Sequence, residues 1–333
     1  MIYPNNLEHK IDFQVIRDSL KGCCSSSLGK ERVDDMSWQN HYDTVKELLA
    51  YLREMMGVLS DSSLSFPHGE IYDLREALSR IRIEGLFMDE SELFSLRKML
   101  DYVGQLERFF SQLDQERYPL LASAPTRLLA SSSNNSIASS PHRLIADIDR
   151  LIDRYGKMKD SASPELARIR KEISQSQGSV SRALNAILRQ AQAEGLLDKD
   201  ATPTMREGRL VLPVPPAYKR KIGGIVHDES ATGKTVFVEP SALVEVNNKI
   251  RELEADERRE IIRILIETAN FIRPYSEELL YSNKFLAETD ALRAKSIFST
   301  KIGARQTECV EKPHIDWKNA IHPLLLLSFR EHY

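Results

Sequence analysis

The sequence predicts a mainly α-helical fold: a helical core, a long antiparallel coiled-coil lever and a small antiparallel β clamp at the lever's tip. Three observations predict it. Leu166, Ile169, Ile173, Val180, Leu184, Ile187 and Ala191 recur at alternating spacings of three and four, with Gln177 in the one missed place, which is the narrow apolar seam of a helix that pairs with another. Val246, Ile250, Leu253, Ile261, Ile264, Leu265 and Ile272 make a second seam, interrupted by Glu257. Between them lies the one clearly β-like stretch, Arg206 to Pro240, where short β-branched or apolar runs are punctuated by Pro213, Pro215-Pro216, Gly223-Gly224 and Gly233. Two helices of about thirty residues, each reaching ~45 Å, must run out and back if they flank one small sheet.

In chain order, the pattern from Asn6 to about Leu113 is helical. Leu7, Ile11, Val15, Ile16 and Leu20 share one face, Val45, Leu48, Leu49, Leu52, Met56 and Leu59 another, and Leu93, Leu96, Leu100, Val103, Leu106 and Phe110 a third. Breaks are expected at Gly22, Pro67-His68-Gly69 and Gly85. Tyr118 to Pro141 reads as a loop, since Ser131 to Ser136 and Ser139-Ser140 bring little apolar surface to bury. Helix resumes at His142, and Ser163-Pro164 marks the start of the outgoing helix: the serine can accept from free N–H groups, and proline is tolerated in the first turn. Leu210-Val211-Leu212, Lys221-Ile222 with Ile225-Val226, and Thr235 to Val238 are the expected strands. Pro274 ends or kinks the returning helix, and Tyr275 to Ile297 rejoins the core. The divisions that follow are core in 1–130 and 274–310, a Ser-rich loop at 131–141, outgoing lever helices at 142–202, clamp at 203–240, returning helix at 241–273, and the opening of a further domain at 311–333.

The chain has 333 residues, a net charge of -3 and three cysteines, too few for a disulfide framework. Without a signal-type N-terminus or a run of ~20 apolar residues, a cytoplasmic location and no membrane partner are expected. The 206–240 stretch runs against the overall charge, with Arg206, Arg209, Lys219, Arg220, Lys221 and Lys234 against Glu207, Asp228, Glu229 and Glu239. A basic patch on an acidic chain marks either local nucleic-acid contact or a solvated tip that keeps edge strands from pairing.

No catalytic constellation emerges. Gly233-Lys234-Thr235 resembles the end of a phosphate loop, but Asp228 stands where that loop needs glycine, and a strand follows where a helix should open. His227-Asp228-Glu229 would point alternately to opposite faces of a strand, a poor metal site. The expectation is no catalytic residue, no metal and no cofactor in this chain.

A resemblance sharpens the choice. Arg206 to Val214, Gly224 to Gly233, Phe237-Val238-Glu239-Pro240 and Asn247 to Leu253 resemble the clamp and returning lever of the MutS family, in particular its MutS-two branch, and Asp160 to Leu166 is similar to the same branch. His322-Pro323-Leu324-Leu325 resembles the opening of that family's ATPase domain, so 311–333 would be its start. The resemblance implies a DNA-binding protein of repair and recombination control whose full-length form hydrolyses ATP with Mg, dimerises, and carries a C-terminal Smr nuclease domain. Double-stranded or branched DNA is the implied partner, with Arg209, Lys219, Arg220, Lys221 and Lys234 contacting phosphates. For some members the resemblance also implies rescue of stalled ribosomes, with RNA or the ribosome as a further partner, and the rival reading is a coiled-coil module contacting ribosome, RNA or a protein partner. ATP binding is expected to lie outside this chain, which stops before any phosphate loop.

Overall fold

The computed structural model describes residues 6–129, 141–206, 208–312 and 314–332, and divides into two compact units: 1–157 with 266–333, and 158–265.

The first unit is helical. Its central element is Ser276–Ile302, which buries Leu279, Phe285, Leu286, Ala291, Ala294 and Phe298 together with polar Ser282, Asn283, Asp290 and Ser296. Helices Phe13–Cys23, Ser27–Asp34, Tyr42–Ser60 and Pro119–Leu129 pack on it. Helix Glu90–Ser111 buries Leu93, Leu96, Leu100, Val103, Leu106 and Phe110, the face its spacing predicts, and begins in a capping box between Asp89 and Glu92.

Two polar side chains fix helix ends that local sequence leaves open. The Asp290 carboxylate accepts from the N–H and hydroxyl groups of both Ser25 and Ser26 at 2.6–3.1 Å, where helix Ser27–Asp34 begins. Buried Glu54 accepts from the N–H groups of Leu120 and Leu121 at 2.9–3.3 Å. That bond corrects the reading of Tyr118 to Pro141 as a loop, because it caps a helix over Pro119–Leu129 from 66 residues away in sequence. A second helix begins at Pro141, and the Ser-rich stretch 131–141 lies almost wholly outside the described residues.

The second unit holds the two long helices and the sheet. The outgoing helix is Pro164–Ala193, 30 residues, and the returning helix is Ser241–Ile272, 32 residues. They are antiparallel: Ser163 meets Glu260, Arg170 meets Glu257, Ile169 and Ile173 pack with Leu253, and Val180 and Leu184 share a cluster with Ile250 and Leu243. Ser163 caps as expected, its Oγ accepting the Leu166 N–H at 2.9 Å while donating to Glu260 at 2.6 Å. The interruption at Glu257 has a cause in its ion pair with Arg170 at 2.7 Å. At Pro274 the helix gives way to a 3₁₀ turn, Arg273–Tyr275, before the next helix starts.

Four strands form one antiparallel sheet in the order β1-β2-β4-β3: β1 Thr204–Arg206, β2 Arg209–Val214, β3 Gly224–Glu229 and β4 Val236–Pro240. Leu212, Val214, Val236 and Val238 face the helix pair and join Val180, Leu184, Leu188, Leu196, Leu197 and Leu243 in one buried cluster. Pro213 is tolerated in β2 because β1 pairs only with Arg209 to Val211, so the proline lies past its end. One strand expectation fails. Lys219–Ile222 is a single helical turn, not part of β3, because the chain must travel back along the sheet between β2, which ends opposite Val236, and β3, which starts opposite Pro240.

Candidate nucleic-acid interface

The β3–β4 hairpin is closed by a turn over Ser230 to Thr235. Ser230 N–H donates to the Thr235 carbonyl at 2.8 Å, and Gly233, at φ 67°, donates to the Ser230 carbonyl at 2.8 Å. Lys234 is therefore displayed at the hairpin's tip, and Gly233 serves a left-handed turn residue's role followed by a strand. At the other end, Gly224 lies against β4 so closely that an added Cβ would stand 2.0 Å from the Glu239 carbonyl oxygen. Only glycine fits, at φ 156°.

Between Val226 and Asp228 the β3 register shifts by a bulge at His227, and bulges re-aim a side chain. The His227 Nε2 comes within 2.6 Å of Glu239 Oε2. Glu239, fully buried, also takes two bonds from Arg209 Nη1 at 2.7 and 2.8 Å and one from Asn247 Nδ2 at 2.6 Å. Arg209 then spends its remaining terminal nitrogen on Asn248 Oδ1 at 2.7 Å. Burial pushes the Glu239 carboxyl up, but the bonds from Asn247, Arg209 and His227 outweigh it and hold the group below the usual carboxylate range. One carboxylate thus locks β2, β3 and the returning helix to β4.

This arrangement divides the five residues expected to contact phosphate. Arg209 is almost enclosed, and its guanidinium is committed to Glu239 and Asn248. Lys219, Arg220, Lys221 and Lys234 are exposed, and no described carboxylate pairs with any of them. Lys221 lies 5.7 Å over the Tyr218 ring. They are not one cluster: the Lys219–Lys221 turn leads to Gly223, whose carbonyl accepts the Ser241 N–H at 3.2 Å just past one end of β4, whereas Lys234 lies just before the other end of that strand, which alone spans about 14 Å. Arg206, also basic, is occupied: its guanidinium sits 4.2 Å over the Phe237 ring and pairs with Asp228 at 3.2 Å.

The Glu239 centre was not among the residues expected to matter. Its signal was present as a lone acid closing an otherwise apolar strand, Val236-Phe237-Val238, followed eight residues on by the tandem Asn247-Asn248. Among the described residues no group of three His, Cys, Asp or Glu side chains is placed to hold a metal ion, and no helix is long and apolar enough to cross a membrane.

No protein-family model matches the chain. Curated relatives do. It is 33% identical over 319 residues to a protein named Endonuclease MutS2 from Geobacillus sp. (strain WCH70), covering 95% of this chain and 39% of that protein. It is 32% identical over 315 residues to one of the same name from Symbiobacterium thermophilum, covering 95% and 38%, and 30% identical over 317 residues to a Putative endonuclease MutS2 from Bacillus subtilis, covering 95% and 39%. The chain spans about two fifths of the length of these relatives.

Proposed function

We propose that this chain, which belongs to the MutS2 branch of the MutS family, uses its sheet to grip nucleic-acid phosphates without reading sequence. The observation that carries the reading is the set of four exposed cations, Lys219, Arg220, Lys221 and Lys234, disposed at both ends of the β3–β4 hairpin and left unpaired by any described carboxylate. Lysine and arginine so placed displace condensed counterions and fix a protein on the backbone while carrying no base information. The relatives' name, an endonuclease, fits a phosphodiester backbone as the common target. Arg209 acts at one remove, by holding β2 against Glu239 and the Asn247-Asn248 pair.

Duplex or branched DNA is the ligand proposed, in the service of recombination control in the cytoplasm. ATP and Mg binding, nuclease chemistry and homodimerisation are proposals for a full-length member of this branch. The test is a salt titration of duplex DNA affinity for the chain and for its K219E/R220E/K221E variant, with branched DNA and structured RNA as competitors. Four phosphate contacts give a slope of log affinity against log salt of about −3.6, roughly a hundredfold loss between 50 and 200 mM, and the variant's slope falls to about −0.9. Equal low-salt affinity of the two proteins for every ligand would return the sheet to a merely solvated tip. Preference for structured RNA over both DNA forms would favour the ribosomal reading.

A further inference from the structure

A second feature, wholly within the first unit, presents an aromatic ring to solvent on a turn that is held rigid. Tyr155 is 69% exposed, and its neighbour Arg154 stacks its guanidinium 4.7 Å over the ring. The backbone that carries ring and cation is fixed. The Asp153 carboxylate accepts the Tyr155 N–H at 2.8 Å and the Lys157 N–H at 2.9 Å. Asp153 N–H donates to the Lys157 carbonyl at 2.8 Å, and Gly156 N–H to the Asp153 carbonyl at 3.0 Å. Gly156, at φ 78°, is buried so tightly on Phe94 that an added Cβ would lie 3.1 Å from that ring. Phe94 in turn carries the Lys98 ammonium 4.9 Å from its centroid. Two cation–ring pairs, Arg154 on Tyr155 and Lys98 on Phe94, are thus joined through Gly156, and Arg150 and Lys157 close by in sequence are exposed.

A singly exposed aromatic is ordinary on a protein surface. What sets this one apart is that the backbone carrying it is held by four bonds within one turn and that a guanidinium is stacked on the ring. An exposed ring stacked with a guanidinium on a turn of fixed backbone is an arrangement on which an unpaired nucleobase stacks, and stacking accepts any base because every base has a π face. The charge here is modest, since Lys98 pairs with Glu70 and Arg150 with Asp147. Phosphate attraction is therefore the lesser part. We propose that the Arg154–Tyr155 turn, with Phe94 beneath it, is a stacking platform for an unpaired nucleobase of a single-stranded nucleic acid, a site separate from the cationic sheet and going beyond the phosphate grip assigned to it.

The experiment uses the full 333-residue chain and 12-nucleotide single-stranded DNA and RNA carrying one 5-iodouracil, irradiated at low salt, with the crosslinked residue located by mass spectrometry. The expected crosslink is on Tyr155, on both DNA and RNA, and it persists in the K219E/R220E/K221E variant. Y155A weakens single-strand binding by about tenfold, the middle of the range for removing a stacking ring, while Y155W retains it. The salt slope for single strands is shallow in both proteins. Failure of the phosphate grip and failure of this site are thus told apart: the first appears in the duplex salt slope of the sheet variant, the second in the crosslink and the Tyr155 series. No measurable single-strand binding, crosslinks confined to the sheet, or equal affinity of Y155A and Y155W each overturns the platform. An unchanged circular dichroism spectrum of Y155A confirms that a loss of binding is not a loss of fold, as expected for so exposed a side chain.

Discussion

The two ends of the long helix pair are held by different physics. At the sheet end, Val180, Leu184, Leu188 and Ala191 of the outgoing helix meet Leu243 and Ile250 of the returning one and the inner face of the sheet, a sizeable apolar core closed over by the Glu239 network. At the other end Ile169, Ile173 and Leu253 pack together, and polar bonds stand beside them: Ser163 to Glu260, and Arg170 to Glu257 and Asp160. Between them, from Ser174 to Ser179, the outgoing helix has no buried residue. The one place missed in the spacing pattern, at Gln177, is thus a solvated step of the outgoing helix between the two attachments. A helix pair so joined is expected to open locally in that span before either end lets go, since local stability follows buried contact.

The sharpest way to break the comparison is at Glu239. Changing it to alanine leaves the enclosed Arg209 guanidinium without its counter-charge and Asn247 without its acceptor, and is expected to destabilise the sheet end by about 3–5 kcal/mol in urea unfolding. An effect below about 1 kcal/mol, the surface ion-pair range, would mean that the network is ornament and the apolar cluster alone holds the sheet.

At the opposite end the handle is pH. The bond from Arg263 works against burial and, with the Ser163 hydroxyl, lowers the Glu260 carboxyl to about 2. A lowered folded value means the group favours folding above its unfolded value of about 4.3 and that this contribution disappears as pH falls toward about 2. Amide protection near residues 163–170, corrected for intrinsic exchange, should therefore fall across that acid window, and the Glu260→Gln variant should show a weaker dependence there. An unchanged dependence in the variant would assign the acid sensitivity to other carboxylates.

The smallest expected effect is in the middle. Gly178 lies inside the outgoing helix, and an added Cβ would meet nothing within 4 Å. Gly178→Ala should stabilise the pair by about 0.5–1 kcal/mol by stiffening the span, read as a higher denaturation midpoint with an unchanged slope. A loss of stability would show that the span needs its glycine.

Much of this was legible in the sequence, for a physical reason: a helix seam is a local periodic signal, and both long helices announced theirs, including the faults at Gln177 and Glu257. The Ser163 cap and the β punctuation by Gly233 and Pro213 were equally local. What escaped reading was set by partners distant in sequence. Pro119–Leu129 is helical because Glu54 caps it, and nothing near Tyr118 says so. Lys219–Ile222 turns because the sheet order places β3 beyond β4, a fact of topology rather than propensity. Arg209 reads as one more basic residue until its diagonal neighbour Glu239 is known.

Asp290 also sets an order of events during synthesis. The carboxylate that closes the start of helix Ser27–Asp34 is encoded 265 residues after Ser25, and the helix that carries it packs against most of the helices of the first unit. A chain emerging from the ribosome completes 158–265 as an uninterrupted stretch before Ser276–Ile302 exists. At about 5–20 residues per second, the early helices wait on the order of tens of seconds with their buried faces exposed. The part of the molecule that is first in sequence is the last to close, and it is the part most in need of a chaperone.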